Sequence, residues 1–156
     1  MGRRTGAVLV SLLLLLTLAV SASAAAVKMT VGVRFWRESG DKESMADSAV
    51  DTTREATLTR QPNGTFTLEL PVKQPSSMNM TGRLTGIAIG EVNYDGTLSG
   101  DLSDGTAVLT LKNLPASVLT GSDSSKALAV TCSIKMDTIL LGDITTSAKM
   151  SVWVER

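Results

Sequence analysis

"REATLTRQPNGTFTLELPV", residues 54–72, decides the fold class. Two runs, REATLTR and TFTLELPV, flank Gln61-Pro62-Asn63-Gly64. Asn-Gly is a strong hairpin signal, because both residue types tolerate the positive φ angles that tight strand connections need. In the second run Phe66, Leu68 and Leu70 recur at every second position. They are expected on the buried face of a strand.

The same two-residue period runs outward in both directions. Upstream, Val27, Met29, Val31, Val33 and Phe35 alternate with Lys28, Thr30, Gly32, Arg34 and Trp36. Downstream, GRLTGIAIGEVNY (82–94), GTAVLTLKNL (105–114), KALAVTCSIKM (126–136) and AKMSVWVE (148–155) read as further strands. No long helical period appears. The expected fold is therefore all-β, an immunoglobulin-like antiparallel sandwich of about seven or eight strands. Two segments, 37–51 and 113–126, are longer than chain reversal requires. The second reads as a loop or short helical turn followed by a flexible link. Asp95, Asp101 and Asp104 sit beside two Asp-Gly pairs. Their spacing is too open for a calcium loop and suits turns.

Residues 1–26 read as a secretory signal peptide, with 27–156 as a single domain. Arg3 and Arg4 form a basic start, Ala7 to Val20 is almost wholly apolar, and Ala22-Ser23-Ala24 is a small-x-small cleavage site. An uncleaved anchor is the alternative. Beyond this segment no apolar run is long enough to span a bilayer. Without Arg3 and Arg4, the fifteen basic residues fall to thirteen against fifteen acidic ones. That balance gives no basic footprint for nucleic acid. The expected location is secreted or extracellular. The Asn63 and Asn79 sequons matter only in a glycosylating cell.

The chain has no histidine. Histidine-dependent nucleophilic catalysis and imidazole ligation are therefore excluded. Scattered carboxylates such as Glu43 and Asp47 are the only groups that could work as acid and base, as in glycosidases, and a non-catalytic role is expected. Cys132 is the only cysteine. It lies in an alternating run and reads as a buried core thiol, with intermolecular pairing as the alternative. Met29 and Met136 fall on strand positions. Met45, Met78 and Met80 lie in or beside loops, where flexible thioethers suit a flat apolar ligand or tuck back beneath their own loops.

The segment VGVRFWRESGDKESMADSAV (31–50), followed by TTREATLTRQPNGTFTLEL (52–70) and MNMTGRLTGIAI (78–89), resembles the start of a NEAT (near-iron-transporter) domain. Such domains are secreted or wall-attached haem-binding β-sandwiches of Gram-positive bacteria. The resemblance implies a short 3₁₀ turn in the first long loop, forming one lip of a haem pocket. It places Met45 over a porphyrin face and gives Ser44 or Ser48 a hydrogen bond to a propionate. Haem-binding members carry Tyr-x-x-x-Tyr on the last strand. Here the matching stretch is ITTSAKMSVWVE (144–155), which puts Thr146 and Met150 at those positions. Tyr94, the only tyrosine, is far away in sequence.

The expected ligand set is Ser44, Met45, Ser48, Met78, Met80, Thr146 and Met150. Met45 and Met150 are the candidate axial thioethers to haem iron. The resemblance also implies cell-surface haem-transfer proteins as partners. The alternative is an adhesion or structural sandwich of the same fold without haem.

Overall fold

A computed structural model of the chain describes residues 25–75, 81–137 and 142–156. Most of the expected signal segment, together with Met78, Asn79 and Met80, lies outside these residues. Among the described residues there are nine strands and three short 3₁₀ turns. Among these described residues no helix is long and apolar enough to cross a membrane.

Strand β1 (Val27–Arg37) organises the molecule. Its first half, Val27 to Val31, pairs with β2 (Ala56–Arg60). Its second half, Val31 to Arg37, pairs on the other edge with β9 (Asp143–Val154). One strand thus belongs to both layers of the sandwich. On one side the order runs from β9 through β8 (Leu128–Met136) and β4 (Gly82–Ile89) to β5 (Val92–Asp95). On the other it runs from β2 through β3 (Phe66–Pro71) and β7 (Val108–Leu114) to β6 (Thr97–Ser99). All pairings are antiparallel. Gly96, between β5 and β6, donates its N–H to Thr85 O at 2.8 Å, so the outer ends nearly meet.

The β2–β3 hairpin forms where Asn-Gly placed it. Gly64 has φ +84°, and Gln61 N donates to Thr65 O at 2.8 Å across the turn. Phe66, Leu68 and Leu70 are buried, as their spacing requires. They join Phe35, Leu58, Leu84, Leu109, Leu111 and Met150 in one core. Cys132 is also enclosed there, and burial pushes its thiol up to about 12.

The ninth strand, β6, lies within the stretch read as turns. The turns are there too. Asp101 accepts from Ser103 N at 2.8 Å, and Asp104 accepts from Thr106 N at 3.0 Å. The segment 113–126 holds two 3₁₀ turns, Ala116–Val118 and Ser124–Lys126.

Candidate functional site

Beyond Val31, β2 no longer covers the edge of β1. The connection after β1 takes its place. Ser44 N donates to Phe35 O at 2.9 Å, and Phe35 N donates to Asp47 Oδ1 at 2.8 Å. Between them the chain makes a 3₁₀ turn, Met45–Ala49. Ser44 caps that turn, its Oγ accepting from Ala46 N at 3.3 Å. Ala46 and Ala49 point into the core and hold the turn down. On leaving it, Lys73 N donates to Ala49 O at 2.9 Å, which ties the turn to the end of β3. This is the short 3₁₀ turn that the resemblance implied for the first long loop.

The small residues explain the methionine. Alanines at positions 46 and 49 let the turn pack closely, and Met45 is left outward with 40% of its surface exposed. Met45 is thus one of four large apolar side chains exposed among the described residues, and the one of these on this turn. Ser48 Oγ donates to Met45 O at 2.7 Å, so its proton is already engaged. Ser44 is buried and acts as a cap.

Ser44, Met45 and Ser48 line one cleft of about 640 Å³. Most of its remaining wall is charged: Arg34, Arg37 and Lys73 with Glu43 and Asp47, beside Val50 and Thr52. Burial raises the Asp47 carboxyl above its ordinary value, and the Phe35 N–H and the nearby Arg34 and Lys73 oppose that. Nearby Glu43 adds to the rise. Sequence reading missed the three cations. Their one signal was Arg34 on the outward-facing set of β1; Lys73 is brought in only by the pairing of Val50 with Val72.

The last strand carries the two remaining described positions, Thr146 and Met150. Residues Ile144, Thr146, Ala148, Met150 and Val152 share the inner face of β9, so Thr146 and Met150 do lie on one face. They differ in depth. Thr146 is half-buried opposite Cys132. Met150 is fully enclosed in register with Phe35 and Leu128. Its side chain packs in the core and does not reach the cleft beside Met45. Neither residue lines the lip cleft. Tyr94 lies on β5 and packs against the core.

The donor set fits a flat ring bearing carboxylates in two respects. Met45 offers an exposed apolar face, and Arg34, Arg37 and Lys73 offer positive charge beside it. Among the described residues, Met45 is the one thioether lining this cleft.

No protein-family model matches the chain, and no curated protein matches it. Solved structures do. A point mutant of IsdX2-NEAT5 in complex with heme aligns with a TM-score of 0.55 and 10% identity, covering 85% of this chain and 99% of that one. The NEAT5 domain of IsdX2, a B. anthracis hemophore in complex with heme, gives 0.54 and 9% over the same shares. At such identity the likeness is one of architecture, and it spans nearly the whole neighbouring domain. The chain has a NEAT-like β-sandwich fold.

Proposed function

We propose that the protein is a secreted, non-catalytic binding module that takes haem or a related carboxylate-bearing tetrapyrrole at the lip, for iron acquisition or transfer. The observation that carries this reading is the exposed Met45 on a turn pinned at both ends, beside three cations. Two solved neighbours of the same fold hold heme, which supports the choice of ligand. The leucine-rich leader in residues 1–26 supports secretion, and cell-surface haem-transfer proteins are the partners such a module would serve.

In this reading Met45 packs against the ring and is the thioether available to its metal. Arg34, Arg37 and Lys73 hold the ring's carboxylates. Met78 and Met80 are proposed as further contacts. Bound haem supplies the iron; the chain supplies orientation and charge. Titration with haemin tests the reading. A saturable Soret shift supports it, and an unchanged spectrum of free haemin removes it.

A second reading is an adhesion or structural sandwich with no haem. The polar wall of the lip cleft favours it, because ligand pockets of this size are mostly apolar. The same titration separates the two.

A further inference from the structure

Arg34 stands where two clefts meet. It lines the lip cleft and also a second cleft of about 210 Å³, between β1, the 50–56 segment and Trp153. Val50 and Thr52 line both as well, so the lip groove and this second cleft adjoin at three residues. The Arg34 guanidinium lies 5.4 Å from the centre of the Trp36 ring. Trp36 is itself fixed, its Nε1–H donating to Ser151 Oγ at 2.9 Å. A planar cation stacked on a held indole is preorganised. Among the described residues, Arg34 Nε is a buried side-chain donor with no partner. The guanidinium's ion-pair partner is Glu43, at 3.7 Å from Nη1, and both side chains are largely open to solvent. Such a pair is weak.

We propose that this groove is a carboxylate-binding site anchored by Arg34, with Glu43 as the internal occupant that an incoming carboxylate replaces. The fork geometry of a guanidinium accepts a carboxylate through two parallel N–H bonds. Glu43 at its present distance makes no such pair, so the Nη groups of Arg34 have no bidentate partner. Arg37 and Lys73 supply the surrounding positive charge. The inference deepens the ligand reading above: it rests on that reading for the ring and not for the carboxylate.

The test uses the full chain with Trp153→Phe, so that Trp36 is the sole indole emitter. Citrate is titrated at low salt and Trp36 fluorescence is read. Glu43→Gln is expected to bind citrate several-fold tighter than the parent. Arg34→Gln is expected to bind at least tenfold more weakly, and Arg34→Lys to recover little, because an ammonium lacks the fork. Equal binding by all four proteins, or weaker binding by Glu43→Gln, overturns the proposal. Protoporphyrin IX and its dimethyl ester then distinguish the source of the carboxylate. Loss of binding on esterification assigns the site to ring carboxylates. Citrate binding without porphyrin binding keeps the site and removes the tetrapyrrole reading. Haemin binding that is unchanged in Arg34→Gln removes the site and keeps that reading.

Discussion

The backbone N–H of Phe35 donates to Asp47 Oδ1 at 2.8 Å, across twelve residues of sequence. A side chain thus completes the edge of β1 where β2 has turned away. Phe35 is fully buried, so its amide has few alternative partners. Asp47→Ala should lower stability by about 1–3 kcal/mol, the cost of leaving a buried donor unpaired. Asp47→Asn keeps an acceptor and should lose less. The pH dependence has a defined sign. Burial raises the folded-state value of Asp47 above 3.8, so its ionisation weakens the fold. The parent's stability relative to Asp47→Asn should be greatest below pH 3.8 and decline as pH rises through the folded value. Urea unfolding from about pH 3 to pH 7 measures this. A rising difference would mean that attraction to Arg34 and Lys73 outweighs burial.

Asp51, four residues on, should behave in the opposite sense. The Thr53 hydroxyl and the Arg54 guanidinium bond its carboxylate and hold it down to about 2, against 3.8 ordinarily. A depressed folded value contributes stability above the unfolded value, and that contribution is lost as pH falls through the folded one. Asp51→Asn should therefore match the parent near pH 2 and fall below it above pH 3.8. Arg54 also donates to Ala107 O at 2.7 Å, joining the 51–54 turn to the chain just before β7. Curves that stay parallel across this range would show that the ionised pair contributes nothing.

Gly32 and Trp153 form a close contact on the outer face of the β1–β9 pair. A Cβ at position 32 would stand 2.2 Å from Trp153 Cζ2, inside any permitted separation. The indole therefore lies flat on the glycine. Gly32→Ala must move the ring, with an expected loss of about 1–3 kcal/mol from forced repacking. Tryptophan emission should shift to the red as one face of the indole meets water. Unchanged stability and emission would show that the ring has another place to go.

Alternation along the chain gave the faces of the strands but not their depth. Phe66, Leu68 and Leu70 were legible because the hairpin turn fixed their register and all three reach the core. Thr146 and Met150 were likewise legible as residues of one face. That Met150 lies fully enclosed depends on Phe35 and Leu128 on the neighbouring strands, at sequence distances no local pattern spans. The lip was legible by resemblance, and its small alanines agree with it. Its charged wall was not. Arg34, Arg37 and Lys73 meet only because Val50 pairs with Val72. Strand β6 was hidden because three residues between turn signals carry almost no period.

Met45 and Met150 stand in contrast, one 40% exposed and the other wholly buried. Met150→Ala should cost about 2–5 kcal/mol, as truncation of an enclosed core side chain does. It should act on stability first, with any change in ligand binding following from a loosened core. Met45→Ala removes a side chain that lies outside the buried core. Its effect on stability should lie within about 0.5 kcal/mol. If the lip holds a ring, however, it should weaken haemin binding and displace the Soret band, while circular dichroism stays unchanged. Denaturant midpoints and haemin titrations on the two variants separate these roles. A stable Met45→Ala protein that binds haemin as the parent does would show that this thioether touches no ligand. The carboxylates held by Arg34 and its neighbours would then carry the attachment.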